Sequence, residues 1–454
     1  MHCITCFEFD ALVGSESGVQ EGANLHSVPA QVFDWLESQA LYLSDRVESD
    51  TRSWLRLTQR RGRRAVQLTG FVGVIRVPDG FQIEVLPKVG KAIGGGVEDA
   101  RTLLIDMLRC LGGFRHIQTD SAKLKATHMP LLEVFIAEFL QSVDHVVKRG
   151  LHGGYHVREE NLFALRGKLH VAQHLRQNLC RRDRFFAEYD EFSTNRPENR
   201  LLHSALRCAL LASTSQANQQ LARELCFVFA DVPVSDVPAH DFQRVRLDRG
   251  MMHYDNALAW ARLILASASP LTGAGDHHAP SLLFPMESVF EAFVAKHLAR
   301  QLAPSFILKA QTRALSLVRH RGRDWFRLKP DLLVTEGGRN RLVLDTKWKL
   351  IDGRKDNGSE KYGLSQGDFY QLYAYGQGYL DGVGDVVLIY PKTDVLHEAL
   401  PVFEFPKSKD LRLWVLPFCL RSRRLSVPEG APFVGVFLAS RLLQATGSEF
   451  TAAE

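Results

Sequence analysis

Phe326-Arg327-Leu328-Lys329-Pro330-Asp331-Leu332-Leu333-Val334-Thr335-Glu336-Gly337-Gly338-Arg339-Asn340-Arg341-Leu342-Val343-Leu344-Asp345-Thr346-Lys347-Trp348 is the stretch that decides the fold. Two apolar runs flank a Gly/Asn-rich turn at residues 335–340. This pattern predicts a hairpin, with one strand over residues 326–334 and a second over 341–348. Side chains alternate along a strand, so Asp345 and Lys347 share a face with Val343. Leu342, Leu344, Thr346 and Trp348 turn the other way, into a core. Asp331 stands on the neighbouring strand. Two carboxylates and an ammonium converging on adjacent strands suit a divalent cation and a water activated for attack on phosphate. Asp331 and Asp345 are the expected oxygen ligands, with the carbonyl of Thr346 as a further one. Lys347 is expected to hold the water or offset charge in the transition state. As a bare pattern, Pro-Asp…Asp-x-Lys also occurs on ordinary hairpins, so its neighbours matter.

Upstream, residues 286–302 read as an amphipathic helix whose apolar stripe carries Phe290, Val294 and Leu298. Glu287 and Glu291 fall close to that stripe, where a carboxylate either pairs or serves a site. Downstream, residues 366–380 read as a helix, and Gln371 and Tyr375, four apart, share one of its faces. On this segment alone, an aromatic-rich core helix is the better explanation of that pair.

The chain has 454 residues, enough for two or three domains. It is 45% hydrophobic and 24% charged, an ordinary globular composition that excludes a mainly disordered protein. A net charge of +5 permits nucleic-acid binding without requiring it. Basic residues cluster at Arg52, Arg56, Arg60, Arg61, Arg63 and Arg64, again at Arg319, His320, Arg321 and Arg323, and again at Arg421, Arg423 and Arg424. Each cluster also suits a solvated loop. The N-terminus carries acid where a signal peptide would carry a long apolar run, so a cytoplasmic protein with reduced thiols is expected. His2, Cys3 and Cys6 have metal-ligand spacing, but no second pair follows, which favours a buried first strand over zinc. No stretch has the length and apolarity of a membrane span.

Residues 66–77 predict a strand that turns at Pro78-Asp79-Gly80 and returns over 81–88 as a hairpin. Gly94-Gly95-Gly96 precedes a helix at 97–111 and lacks the Gly-Lys-Ser/Thr ending of a P-loop, so no nucleotide site is expected in this chain. Residues 131–147 form an amphipathic helix, with Pro130 at its start and Gly150 past its end. Helices are expected to dominate 129–268, and a Gly/Ser/Pro-rich linker lies at 269–280. The fold class expected is α+β and multidomain. A β-rich region spans 1–128, a mainly helical middle 129–280, and a mixed α/β domain 281–454.

The succession of acid-bearing helix, Pro-Asp, Asp-x-Lys and Gln-x-x-x-Tyr resembles the PD-(D/E)xK nuclease superfamily, particularly its RecB-like branch. Asp345 stands where that superfamily usually has Glu, a mild departure. More of the chain resembles the McrC family, the nuclease subunits of McrBC-type modification-dependent restriction systems. The matching residues run in order: Ile83-Glu84-Val85-Leu86-Pro87-Lys88, Arg149-Gly150-Leu151, Tyr155, Glu159-Glu160-Asn161, Leu165-Arg166-Gly167-Lys168, Asp190-Glu191-Phe192-Ser193, Asn199-Arg200-Leu201-Leu202, Met286 through Val294, and Leu344-Asp345-Thr346-Lys347-Trp348-Lys349. The resemblance implies a PD-(D/E)xK endonuclease domain at 281–454. It selects Glu291 over Glu287 and puts Gln371 and Tyr375 near the DNA backbone. It implies Mg²⁺, with Mn²⁺ able to substitute, and double-stranded DNA carrying modified bases as substrate. It also implies that residues 1–128 bind a partner, a McrB-like AAA+ GTPase hexamer whose hydrolysis the chain stimulates. Two other functions fit parts of the sequence: a regulatory activator of an NTPase ring with a weak nuclease site, and a solitary RecB-like repair nuclease.

Overall fold

The computed structural model describes residues 3–15, 22, 24–45, 53–92, 96–111, 130–267, 282–312 and 315–440. His2, Arg52, Gly94, Gly95 and the linker at 269–280 lie outside them, as do the expected boundaries near 128 and 280. The chain forms two compact units, one of Met1–Gly112 with Leu283–Glu454 and the other of Gly113–Leu282.

The first unit holds a mixed seven-stranded sheet. Its order is Phe306–Ala310, Leu332–Glu336, Arg339–Thr346, Val383–Pro391, Asp410–Cys419, Phe403–Glu404, with Arg424–Leu425 also on the Asp410 strand. The Leu332 and Arg339 strands are antiparallel and joined through Gly337 and Gly338, whose φ of 54° and 82° only glycine adopts freely. The Arg339, Val383 and Asp410 strands run parallel. Helix Gln366–Leu380 makes the crossover between the first two and covers one face: Val343, Leu372, Tyr375, Val386 and Leu388 share a core. Helix Met286–Leu298 covers the other, with Phe290 5.2 Å from the Trp348 ring and 6.5 Å from Phe418. From Leu342 onward the Arg339 strand is therefore buried on both faces, and Val343 is as buried as Leu344. The expectation of one core-facing side was too narrow, because a strand inside a parallel sheet is covered twice.

Asp331 is not inside a strand. The run at 326–334 is cut: among the described residues, Arg323–Leu328 pairs only with Leu315–His320, as a separate ribbon, and pairing resumes at Leu332. Pro330 sits in the gap, where a missing N–H and a fixed φ break the ladder. A second expected strand, 66–77, is likewise two. Phe71 N–H donates to Thr69 C=O at 2.8 Å, a tight turn that sends Arg63–Leu68 and Phe71–Arg76 into different four-stranded sheets. The hairpin of Phe71–Arg76 with Gln82–Leu86 forms as expected. Cys3–Phe7 runs parallel to Gln82–Leu86, leaving Cys3 exposed and Cys6 in the core with Leu12, Val32 and Ile83.

In the second unit, Leu131–Arg149 is helical between Pro130 and Gly150, whose φ is 92°. Helices dominate the middle region, as expected, but strands that were not expected are present too. Gly154–Leu162, Phe185–Ser193 and Lys168–Leu169 form a three-stranded antiparallel sheet. Its strands mix charged and apolar residues without a clean two-residue period, because most of Gly154–Leu162 is exposed on both faces. Two family-like motifs are structural here. A Cβ on Gly167 would lie 2.4 Å from Glu188 C=O, so only glycine fits the bend into Lys168–Leu169. Asn199, fully buried, donates to His152 C=O and Thr194 C=O and accepts from the Tyr254 hydroxyl. Among the described residues, no helix is long and apolar enough to cross a membrane.

Candidate active site

The Arg339–Thr346 strand ends against Val383–Pro391, with Thr346 paired to Ile389 and Lys347 N–H donating to Ile389 C=O. Crevices at the carboxyl ends of parallel strands are the usual ligand sites of such sheets. Here a cleft of about 380 Å³ opens, lined by Glu287, Glu291, Asp331, Asp345, Lys347 and Asp368, among others.

Asp331 Oδ2 accepts from both the Thr346 N–H and the Thr346 hydroxyl, each at 2.7 Å. These bonds fasten the loop after Pro330 to the end of the central strand. Asp345 is 1% exposed. Lys347 Nζ lies 2.6 Å from Asp345 Oδ2, an ion pair at hydrogen-bonding distance. Burial first, then the Asp331 charge, push the Asp345 carboxyl up to about 7, against the pull of Lys347. Burial pulls Lys347 down, but Asp345 more than reverses this and holds the ammonium above its ordinary range. Burial, then Asp331, also raises Glu291, which accepts from Gln311 Nε2 at 2.9 Å. The cleft thus gathers carboxylates that repel one another and carry less positive charge than they need.

Of the residues expected at the site, Glu291, Asp331, Asp345, Thr346, Lys347 and Gln371 line this one cleft. Gln371 Oε1 accepts from Lys347 Nζ at 3.1 Å, and its Nε2 donates to the Tyr375 hydroxyl at 2.7 Å. Tyr375 stands behind Gln371 and donates to Lys329 C=O at 2.8 Å, tying the helix to the segment that carries Asp331. Glu287 lines the cleft beside Glu291. Sequence reasoning passed over Asp368, whose Oδ1 is 3.8 Å from Lys347 Nζ. Its signal was spacing: it lies three residues before Gln371, hence on the same helix face.

The N-terminal strands buttress the site from outside the cleft. Trp348 Nε1 donates to both oxygens of the buried Glu8, at 3.1 and 2.9 Å. Lys88 N–H donates to Glu8 Oε2 at 3.0 Å, and Lys88 Nζ donates to Trp348 C=O at 2.9 Å. Two family-like motifs, at 83–88 and 344–349, therefore meet at this point. Burial raises Glu8 to about 7, opposed by Lys88 and Trp348. Trp348→Phe should remove the indole donor and destabilise the fold by about 1–3 kcal/mol at pH 7.5. A buried acid raised above its unfolded value destabilises the fold progressively as pH rises toward that raised value. Thermal melts should therefore show a smaller deficit at pH 5.5, where the carboxyl is protonated. A deficit independent of pH would mean that Trp348 acts by packing alone.

A family model described as the McrBC 5-methylcytosine restriction system component matches residues 66–391. No curated protein sequence matches the chain. Among solved structures, a chain of the refined half-complex from the tetradecameric assembly of Thermococcus gammatolerans McrB AAA+ hexamers with bound McrC is similar. Its TM-score is 0.66 at 22% identity, covering 98% of this chain and 100% of that one. A chain of the Thermococcus gammatolerans McrBC complex gives a TM-score of 0.49 at 21% identity, covering 66% of this chain and 88% of that one.

Proposed function

Because this chain belongs to the McrBC family, described as a 5-methylcytosine restriction system component, we propose that it is the nuclease subunit of such a system. It hydrolyses DNA phosphodiester bonds at the Asp331/Asp345/Lys347 cleft, in a PD-(D/E)xK-type domain. The observation that carries this reading is the convergence of Asp331 with the Asp345/Lys347 pair from a second segment into one cleft, with Gln371 on the lysine.

A hard divalent cation, Mg²⁺ or Mn²⁺, fits this donor set. Asp345 is buried, and Glu291 and Asp345 are both raised, first by burial and then by the charge of Asp331. Asp331, Asp345 and the Thr346 carbonyl would hold it, with Glu291 close by. When bound, it supplies Lewis acidity to the phosphate and lowers the pKa of a water. The rest is done by the chain itself. Asp331 fixes the Thr346 backbone, and Gln371 and Asp345 aim the Lys347 ammonium into the cleft. There Lys347 offsets charge developing on the attacked phosphate and orients the water.

The similar Thermococcus gammatolerans complex contains McrB AAA+ hexamers with bound McrC, and this supports an AAA+ ring as partner for the present chain. Translocation then comes from the ring, since this chain has no P-loop. Cytosine-methylated duplex DNA is the substrate to try first, and the protein is expected in the cytoplasm.

Lys347→Ala should lower single-turnover cleavage about 100- to 1,000-fold without changing co-elution with the ring or stimulation of its nucleotide hydrolysis. Cleavage at the parental rate would remove Lys347 from the chemistry. Loss of ring stimulation together with cleavage would favour a regulatory role for this region.

A further inference from the structure

The ribbon of Leu315–His320 and Arg323–Leu328 lines no part of the cleft, pairs with no other strand among the described residues, and rests on helix Gln366–Leu380 through Leu315 and Leu328. Its strands turn at Arg321-Gly322, with φ of 47° and 76°, and every residue from Leu317 to Arg327 is exposed. Exposed apolar and aromatic side chains on a free ribbon are a liability unless something covers them.

Register sorts the ribbon into two faces. Ser316 opposes Arg327, Val318 opposes Trp325, and His320 opposes Arg323, so these six residues share one face. The rings of His320 and Trp325 are 4.9 Å apart, as neighbours on that face should be. The other face carries Arg319, paired with Asp324 at 3.1 Å. Residues 315–328 hold four arginines (319, 321, 323 and 327) against one acid, Asp324, for a net +3 with histidine neutral. The ribbon leads straight into the site. Its base is clamped by the Tyr379 hydroxyl on Leu328 C=O at 2.9 Å and by Tyr375 on Lys329 C=O. Asp331 follows four residues after Arg327. At roughly 3.3 Å per residue, Arg327 lies within about 13 Å of Asp331. That is about four base steps along a duplex, at 3.4 Å each.

We propose that this ribbon is a duplex-DNA clamp, its Arg323/Trp325/Arg327 face lying along the DNA beside the bond to be cut. The proposal rests on the nuclease reading of the cleft and adds the surface that holds the substrate there. A two-stranded ribbon fits the DNA major groove, about 12 Å wide. Each strand, about 20 Å long, spans that groove with its phosphates. Net positive charge suits the phosphate backbone and is a poor match for a purely apolar protein surface. A protein partner is the competing occupant, and the test separates the two.

The full chain is titrated, by fluorescence anisotropy in EDTA, against a labelled duplex bearing 5-methylcytosine, between about 50 and 200 mM salt. Arg323→Gln/Arg327→Gln should weaken binding about tenfold or more and reduce the salt slope by about two. Arg323→Lys/Arg327→Lys should restore the slope, and Trp325→Ala should weaken binding without changing it. Thermal melts of each variant establish that it is folded. Unchanged affinity and slope in the glutamine variant would overturn the proposal. So would normal DNA binding combined with lost co-elution with the AAA+ ring, which would assign the ribbon to a protein. Cleavage is scored separately. If the parent cuts DNA and the glutamine variant binds it normally, the clamp fails and the nuclease reading stands. If the parent binds through the ribbon but never cuts, the nuclease reading fails and the clamp stands.

Discussion

Asp345→Ala is expected to lower DNA cleavage about a thousandfold or more while leaving the protein at least as stable as the parent. The two halves of this expectation have one cause. Asp345 is a buried carboxylate whose burial and repulsion from Asp331 are only partly offset by the Lys347 ammonium 2.6 Å away. Burying such a charge is costly, and the cost falls on the fold. A buried carboxyl that weakens the fold and lines a cleft is what a preorganised ligand looks like. Removing it relieves the repulsion with Asp331 and takes away the ligand. The variant also leaves Lys347 without its nearest counter-charge, so Asp345→Asn is the cleaner comparison for stability.

The pH dependence gives a second check on Asp345. Its folded pKa is raised to about 7 by burial and Asp331. The folded state therefore holds this proton at pH values where the unfolded chain has lost it. Stability should fall as pH rises from the ordinary aspartate range toward 7, and level off above. Mg²⁺ should offset the loss, because a cation bound only to the folded state stabilises it by mass action. Melts with and without Mg²⁺ at pH 5.5 and 8 measure both. An Asp345→Asn variant that melts well below the parent at pH 8, or a parent indifferent to Mg²⁺, would count against a cation at this cleft.

The largest effect on stability is expected at Glu133, far along the sequence from this chemistry. Glu133 sits in the first turn of helix Leu131–Arg149 and is 3% exposed. Its Oε1 accepts from Thr214 N–H at 2.5 Å, the Thr214 hydroxyl at 2.9 Å and Ser215 N–H at 3.2 Å. Its Oε2 accepts from the Ser213 hydroxyl at 2.7 Å and Asn218 Nδ2 at 2.8 Å. One carboxylate thereby satisfies the turn between helices Pro197–Ala212 and Gln216–Val228 and the start of the second. Burial alone would raise its pKa, but the bonds from Thr214, Ser213 and Asn218 more than reverse this and lower it.

Glu133→Ala strands several buried donors and should cost about 3–5 kcal/mol, read as a lower midpoint in urea. Glu133→Gln keeps the shape but presents an NH₂ to these donors, so it should recover little. A carboxyl lowered in the folded state contributes stability above its unfolded pKa and loses it as pH falls through the folded value. The parent should therefore weaken on acidification, and Glu133→Ala should show less of that weakening. A loss below about 1 kcal/mol would mean that water or a rearranged turn replaces the carboxylate.

Several features were legible from local chemistry. Alternation along a strand put Asp345 and Lys347 on one side, and they meet at 2.6 Å. Helical spacing paired Gln371 with Tyr375, and they meet at 2.7 Å. Proline and glycine marked the ends of helix Leu131–Arg149. Such features depend on residues a few positions apart, so the sequence carries them directly. By itself it also determined the order of motifs that ties the chain to its family.

Only the tertiary structure decided the rest. Glu133 reads as a polar interruption of an apolar helix until its partners some 80 positions away are seen. Glu8 and Trp348, 340 positions apart, share a buried hydrogen bond that no periodicity announces. The strand through Asp331 looked continuous because its β propensity is. Which neighbour each half pairs with is a property of the sheet, and it split the run at Pro330 into a free ribbon and a sheet strand. Propensity acts within a segment, whereas burial and strand pairing are set by whatever the rest of the chain packs against it.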